Sequence, residues 1–233
     1  SVLLAEDHKL NQKLAITYLS DFGLSVDLAE NSMEAVEKFK TKNYDLVLMD
    51  IQMPLLDGYH AAKKIREELK SNVPIIAMTA NIMANEREKC MSFGMNDYLS
   101  KPFKEIDLFN IVNLYIGSKK QHHIQEIESI SSEHHAIINK EHLNTLSRGN
   151  KAFIKEIIDI FLEQNPNELA ELEKSILAKD YSAIRSISHK MKTSVGFIGI
   201  NQLLPELSTI ENMAINEGDI NNIQSKFTHV KTI

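Results

Sequence analysis

Acidic residues and residues able to hold phosphate oxygens follow four of the five short apolar segments in the first half of the sequence. In chain order they are Glu6, Asp7, Asp50, Thr79 and Lys101. If the apolar segments are parallel strands, their carboxyl ends meet at one edge of a sheet, where these side chains converge. Three converging carboxylates repel one another unless a divalent cation neutralises them, and Mg²⁺ prefers such oxygen ligands. A carboxylate beside Mg²⁺, with an ammonium group and a hydroxyl nearby, can accept a phosphoryl group.

The ordinary alternative is that these are solvated loop residues, because Asp, Thr and Lys are common where strands end. For any single residue we would favour that interpretation. Four strand ends that carry matching chemistry together favour a site that accepts phosphoryl groups.

The elements that must position these residues are predicted from the alternation of apolar segments with stretches of helical periodicity. Predicted strands cover residues 2–5, 24–29, 44–49, 73–78 and 96–99, and predicted helices cover 9–22, 32–42, 58–70, 82–92 and 103–116. Strands that are apolar on both faces are typical of a parallel sheet covered by helices on each side. Residues 1–117 are therefore predicted to form an α/β doubly wound domain with a flavodoxin-like, five-stranded parallel sheet.

The second half of the sequence has no strand pattern. Residues 118–138 are rich in Ser, Glu and His and are predicted to be a linker; a solvated linker is favoured over metal binding by its histidines. Helices are predicted near residues 140–147, 150–178, 180–198, 200–216 and 219–230, with Pro166 kinking or interrupting the second. Residues 139–233 are therefore predicted to form an all-α four-helix bundle.

Composition excludes several classes of protein. The 233 residues are 43% hydrophobic and carry a net charge of −6, and neither half is basic, so nucleic-acid binding is disfavoured. A single cysteine, Cys90, excludes an internal disulfide framework. We find no signal peptide and no apolar run long enough to span a membrane. The single cysteine also fits a reducing compartment such as the cytoplasm. Because the sequence enters a strand at once, we expect a fragment of a longer protein.

The segment LVLMDIQMPLLDG (residues 46–58) resembles the receiver domain of two-component response regulators, with VLLAED before it and IIAMTAN and YLSKPF after it. This resemblance implies that Asp50 is the phosphoacceptor. It also implies that Glu6, Asp7 and Asp50 bind Mg²⁺ together with the backbone carbonyl of Gln52.

The same resemblance assigns roles around the phosphoryl group. It implies that Thr79 and Lys101 hold the phosphoryl oxygens and that the peptide bond between Lys101 and Pro102 is cis. Tyr98 matches the aromatic switch position, although an aromatic side chain packed on an edge strand remains an equal alternative. Hydrolases of the haloacid dehalogenase type are rejected, because their second aspartate would have to stand where this chain has Gln52.

One histidine of the predicted bundle has neighbours that could support phosphoryl chemistry. The buried face of its helix is marked by apolar residues at spacings of three and four, namely Ile184, Ile187, Met191, Val195 and Ile198. His189 lies on the opposite side, so we expect it to face away from the core. Arg185 and Lys192 share its side, together with Thr193 and other small residues that leave the imidazole exposed to a partner. An exposed neutral imidazole is a competent nucleophile, although an exposed histidine without any role is common.

The segment HKMKTSVGFIG (residues 189–199) resembles the phosphoacceptor motif of histidine-containing phosphotransfer domains, which are antiparallel four-helix bundles. By that resemblance His189 is the phosphorylated residue, Lys192 is the lysine three positions on and Gly199 is the glycine ten positions on. Thr193 departs from the family, which usually has glycine there, and this puts the affinity for partners in doubt.

Together the two resemblances imply the C-terminal region of a hybrid sensor histidine kinase that works in a phosphorelay. The expected partners are an upstream histidine kinase domain of the same parent chain and a downstream response regulator. No nucleic acid is expected as a partner, and no membrane contact is expected of this fragment, whereas the resemblance implies a parent protein anchored in the bacterial inner membrane. The sequence has no Gly-rich phosphate loop or nucleotide motif, so the fragment is expected to transfer phosphoryl groups without using ATP. The alternative is a binding module switched by phosphorylation, in which the bundle serves for interaction or dimerisation.

Overall fold

The computed structural model describes residues 1–53, 56–79, 84–101, 103–117 and 138–232, without the side chains of residues 84–86. The chain divides into two compact units, Ser1–Gln125 and Glu126–Ile233. The predicted linker over residues 118–138 lies almost wholly outside the described residues, so the domain boundaries stay a prediction. No helix of the described ranges is long and apolar enough to cross a membrane.

The first unit is built on one parallel sheet. Its strands are Val2–Ala5 (β1), Val26–Ala29 (β2), Leu46–Asp50 (β3), Ile75–Thr79 (β4) and Asp97–Ser100 (β5). They lie in the order β2-β1-β3-β4-β5, with every neighbouring pair parallel. All residues of β1, β3 and β4 are buried, as their apolar sequences require for strands covered on both faces. The predicted doubly wound, flavodoxin-like fold is confirmed.

Four helices connect successive strands of this sheet, and a fifth follows the last strand. They are Lys9–Asp21 (α1), Ser32–Thr41 (α2), Gly58–Glu67 (α3), Ala84–Ser92 (α4) and Glu105–Ile116 (α5). Asn31 and Asp57 cap the N-termini of α2 and α3, because each side chain accepts a hydrogen bond from a backbone N–H of the first turn. The predicted start of the fourth helix at residue 82 lies outside the described residues.

The second unit is helical throughout its described residues. The helices are Lys140–Leu146 (α6), Lys151–Ala178 (α7), Tyr181–Ile198 (α8), Leu204–Ile215 (α9) and Ile220–Thr232 (α10). The four longer helices close a bundle, because α8 packs on α7 and α9, and α10 packs on α9 and α7. Its core is formed by apolar residues at helical spacing, among them Leu172, Ile176, Ile184, Met191, Val195, Leu207, Ile210, Ile223 and Phe227. The predicted all-α bundle is confirmed.

Pro166 does not interrupt the second predicted helix, because α7 continues through it from Lys151 to Ala178. The prediction that Pro166 could interrupt this helix was therefore wrong. Proline removes a single backbone hydrogen bond and disfavours the helix locally, whereas α7 has 28 residues and packs against two neighbouring helices.

Candidate functional site

The carboxyl ends of the strands bring three carboxylates together at one edge of the sheet. Glu6 and Asp7 directly follow β1, and Asp50 is the last residue of β3, the strand that pairs with β1. Their ligand oxygens all lie within 4.8 Å of one another. We call Glu6, Asp7 and Asp50 the acid cluster. Glu6 is 0% exposed and Asp50 is 4% exposed, so this negative charge is held out of bulk water.

Lys101 provides the positive charge beside the acid cluster. Its Nζ lies 2.6 Å from Oδ2 of Asp50 and 2.6 Å from Oε2 of Glu6. The lysine is held there by the sheet, since its backbone N–H donates to the carbonyl of Thr79 over 2.7 Å. Thr79 is the last residue of β4 and is 6% exposed. The four strand-end positions singled out in the sequence are thus brought to the same edge of the sheet.

The pKa values in this cluster reflect burial and close like charges. Burial raises the pKa of Asp50 to about 7, the neighbouring Glu6 carboxylate adds to the increase, and Lys101 opposes it. Burial alone would lower the pKa of Lys101, but the Asp50 and Glu6 carboxylates hold it above its ordinary value. A buried, strongly perturbed carboxyl group at the edge of an α/β sheet is typical of a functional site.

Gly58 fixes the backbone that carries Asp50. Its N–H donates to the carbonyl of Ile51 over 3.1 Å. A Cβ added to Gly58 would lie 2.2 Å from the carbonyl oxygen of Asp50, closer than any side chain tolerates. The first turn of α3 therefore packs directly on the end of β3, and only glycine permits this approach.

Two further residues named from the sequence are Gln52, which follows the end of β3, and Tyr98, which lies within β5 opposite Ala77 of β4. The backbone N–H of Gln52 donates to Oδ1 of Asp50 over 3.1 Å, and its side chain is exposed. Tyr98 lies on β5, where it is half-buried, and the guanidinium of Arg87 lies 5.9 Å from the centre of its ring. The metal-binding role of the Gln52 carbonyl and the switch role of Tyr98 stay predictions, and Pro102, with its expected cis bond, is outside the described residues.

In the helical unit His189 is part of a three-residue polar cluster that spans two helices. Its Nδ1 lies 2.9 Å from Oε1 of Glu211 on α9. Nζ of Lys192, one turn further along α8, donates to Oε2 of the same carboxylate over 2.6 Å. Although burial alone would raise the pKa of Glu211, the hydrogen bonds from His189 and Lys192 lower it to about 2. Glu211 is therefore ionised near neutral pH and can only accept hydrogen bonds.

Comparison with known proteins decides what the two units are. Residues 2–113 match the family of response regulator receiver domains, and residues 156–232 match the Hpt domain family. The chain is a receiver domain followed by an Hpt domain. The resemblances drawn from both motifs are confirmed, and a receiver joined to an Hpt domain indicates phosphorelay signalling.

Curated relatives of this receiver–Hpt chain include sensor histidine kinases. The signal transduction histidine-protein kinase BarA of Escherichia coli is 28% identical over 207 residues, which cover 87% of this chain and 22% of that protein. The sensor protein GacS of Pseudomonas syringae is 30% identical over 209 residues, with 87% and 23% covered. The chain thus spans less than a quarter of the length of these two relatives.

Among solved structures, the receiver domain of a sensor histidine kinase from Pseudomonas aeruginosa, crystallised with a magnesium ion in its active-site cleft, is similar to this receiver. It is 44% identical, with a TM-score of 0.46, and the match covers 50% of this chain and 97% of that chain.

The predicted exposure of His189 in the Hpt domain was wrong. Its side chain is only 12% exposed, because Glu211 of the neighbouring helix packs against the imidazole. Of the residues assigned to the buried face of α8, Ile187 is only half-buried, whereas Ile184, Met191, Val195 and Ile198 are buried. Arg185 is exposed, as expected.

Glu211 is the polar partner that sequence reasoning missed. It stands 22 residues after His189 on a separate helix, and a glutamate in an amphipathic helix ordinarily faces solvent. The only sequence signal is its position between Ile210 and Ala214, two residues of the buried face of α9. Such a position is unusual for a carboxylate unless the residue has a partner.

Gly199 of the Hpt motif has a structural explanation. It ends α8 in the left-handed conformation, with φ of +77°. A Cβ at this position would lie 2.7 Å from Cβ of Asn139, which precedes α6. Glycine therefore allows α6 to approach the end of the helix that carries His189.

Proposed function

We propose that this chain relays a phosphoryl group from a histidine of an upstream kinase domain to Asp50, then to His189, and finally to an aspartate of a downstream response regulator. The observation that supports this proposal is that one chain holds both acceptors in environments suited to them. Asp50 lies in a buried acid cluster beside Lys101, and His189 is hydrogen-bonded to an ionised Glu211.

The acid cluster fits a divalent cation. Its three ligands offer hard carboxylate oxygens within 4.8 Å of one another, the donor set that suits Mg²⁺. We propose that Glu6, Asp7 and Asp50 hold Mg²⁺ with help from the backbone carbonyl of Gln52. Bound Mg²⁺ would neutralise the oxygens of the incoming phosphoryl group.

Lys101 and Thr79 are proposed to hold the phosphoryl oxygens once Asp50 is phosphorylated. The ammonium of Lys101 already lies 2.6 Å from the Asp50 carboxylate, so it needs only a short movement to contact a phosphoryl group there. Tyr98 is proposed to report this change to the surface from its half-buried position on β5.

Glu211 determines which nitrogen of His189 can act as the nucleophile. Because an ionised carboxylate only accepts hydrogen bonds, Nδ1 of His189 carries a proton, and in the neutral imidazole the free lone pair therefore lies on Nε2. In the proposed transfer the bond between phosphorus and the Asp50 oxygen breaks, and a bond between phosphorus and Nε2 forms. The imidazole then becomes positively charged, with its Nδ1 proton held by Glu211. Lys192, whose ammonium pairs with the same Glu211 carboxylate, is proposed to contact the phosphoryl oxygens.

The relay is tested by following a labelled phosphoryl group through the unaltered chain. A labelled small acyl phosphate with Mg²⁺ should first give a base-labile label on Asp50. A label that is stable in base and labile in acid should then appear on His189, because phosphorus–nitrogen bonds have the opposite lability. Equal labelling in excess chelator would contradict the Mg²⁺ assignment. If His189 never acquires label, even with a kinase and a regulator present, the Hpt domain is an interaction module.

The charge of Glu211 should control the rate of transfer to His189. Glu211→Gln keeps a side chain of similar shape whose amide oxygen can still accept the hydrogen bond from Nδ1, but it loses the negative charge. We expect transfer from Asp50 to His189 to slow about tenfold, since a charge-assisted hydrogen bond is worth about 1.5 kcal/mol more than a neutral one. Rapid-quench measurement of the acid-labile label gives this rate.

Glu206→Gln is the matched control for the Glu211 variant. Glu206 lies on the same helix and likewise pairs with a histidine and a lysine, His229 and Lys226. Its substitution should leave transfer unchanged. Equal slowing in the two variants would mean that α9 acts through its stability alone, and an unaffected Glu211→Gln chain would contradict the proposed role.

A further inference from the structure

Glu6 is the most confined member of the acid cluster. Its side chain is 0% exposed, and Oε2 lies 2.6 Å from Nζ of Lys101. Oε1 accepts two hydrogen bonds, from the backbone N–H of His8 over 3.1 Å and from Nδ2 of Asn11 over 3.0 Å. Both in-plane lone pairs of Oε1 are thereby engaged, so the carboxylate cannot rotate without losing a hydrogen bond.

Asn11 is a buried polar residue on α1 whose position calls for an explanation. It is 2% exposed, and its Oδ1 is buried with no hydrogen-bond partner among the described residues. A buried amide with an unpaired oxygen costs stability that an apolar side chain such as that of its neighbour Leu10 would not. The contact that offsets this cost is the hydrogen bond from Nδ2 to Glu6. The opposite orientation of the amide would place two oxygens against each other.

We propose that Asn11 is a positioning residue that holds the Glu6 carboxylate in the orientation that the divalent cation of the acid cluster requires. This inference rests on the Mg²⁺ assignment in the proposed function. Glutamate has one more rotatable bond than aspartate, so a glutamate in a metal site loses more conformational freedom when its carboxylate is fixed. Asn11 and the His8 N–H fix it before any cation arrives, which lowers the cost of binding.

The test is a titration of the full chain with Mg²⁺ alone, in which isothermal titration calorimetry measures the dissociation constant. Asn11→Leu keeps the approximate size of the side chain and removes its donor. We expect the dissociation constant for Mg²⁺ to rise about tenfold, the lower end of the range for residues that orient metal ligands. Thermal unfolding without Mg²⁺ shows whether the variant is folded. If it is not, Asn11→Ser, whose hydroxyl is too short to reach Glu6, should show the same loss of affinity.

Gln12→Met is the matched control. Gln12 is the next residue of α1, is 7% exposed and also donates to Glu6, but its Nε2 contacts the backbone carbonyl, over 2.6 Å, and not the carboxylate. Its substitution should change the affinity for Mg²⁺ by less than about twofold. Similar losses for both variants would overturn the inference, because Asn11 would then act only by packing.

A double-mutant cycle tests whether Asn11 acts through the Glu6 carboxylate. In a chain that already carries Glu6→Gln, adding Asn11→Leu should have little further effect on Mg²⁺ affinity. A full tenfold loss in that background would overturn the inference.

Measuring the phosphoryl label on His189 beside the Mg²⁺ affinities distinguishes failure of this inference from failure of the proposed relay. If the unaltered chain relays phosphate but the Asn11 and Gln12 variants have equal affinities for Mg²⁺, only the inference about Asn11 is overturned. If Asn11→Leu weakens Mg²⁺ binding and Gln12→Met does not, but His189 never acquires label, only the relay is overturned. No Mg²⁺ binding by the unaltered chain overturns both the metal assignment and the role of Asn11.

Discussion

A chain that carries Asp50→Asn should acquire no base-labile phosphate from an acyl phosphate or from a kinase domain. The amide is almost isosteric with the carboxylate but is a very poor nucleophile, so the loss should be complete within detection, at least about a hundredfold. Transfer to His189 should also disappear, because the relay has lost its first acceptor. Labelling followed by treatment with base or acid measures both losses.

The Asp50→Asn chain should remain folded. Lys101 keeps its contact with Glu6 over 2.6 Å, so the substitution does not leave a buried ammonium without a partner. It also removes the repulsion between Asp50 and Glu6 that raises the pKa of Asp50. A small change in the temperature of unfolding is therefore expected.

Asp57→Asn provides the control for this first prediction. Asp57 belongs to the same sequence motif, but it caps α3 by accepting a hydrogen bond from the N–H of His60. Asparagine caps helices about as well as aspartate, so this variant should take up phosphate normally. If the Asp50→Asn chain still gains base-labile phosphate, the nucleophile is another carboxylate, and Glu6 or Asp7 must be tested next.

His189→Gln should abolish the acid-labile phosphate and leave phosphorylation of Asp50 unchanged. Glutamine has no nucleophilic ring nitrogen, yet it can still donate a hydrogen bond to Glu211 and so preserve much of the packing between α8 and α9. His229→Gln is the matched control, since His229 lies 3.3 Å from a glutamate of α9 in the same way. That control should retain its acid-labile label.

Mixing the Asp50→Asn and His189→Gln chains shows whether phosphate passes between molecules. In the mixture, only the His189→Gln chain can be phosphorylated on aspartate, and only the Asp50→Asn chain can be phosphorylated on histidine. An acid-labile label in the mixture therefore demonstrates transfer in trans. If the mixture stays unlabelled while the unaltered chain labels His189, transfer occurs within one chain.

The sequence by itself determined the fold class and the edge of the sheet at which the receiver site lies. Apolar strands with helices between them have few alternatives to a parallel sheet, and the ends of such strands must meet. Glu6, Asp50, Thr79 and Lys101 could therefore be brought together from their positions after predicted strands. The helical periodicity of the second half likewise predicted a bundle, because a stripe of apolar residues requires neighbouring helices to cover it.

Only the tertiary structure decided how the individual side chains are paired. Glu211 meets His189 because α9 packs on α8 at a particular rotation, which a pattern of apolar positions does not specify closely enough to pair two polar groups. The same rotation covers the imidazole that the sequence predicted to be exposed. Asn11 was likewise unrecognised, since its hydrogen bond to Glu6 depends on how the first turn of α1 lies over the end of β1. The convergence of strand ends follows from the parallel arrangement alone, whereas a hydrogen bond between side chains requires positions fixed to within about 0.5 Å, and only close packing of the whole unit provides them.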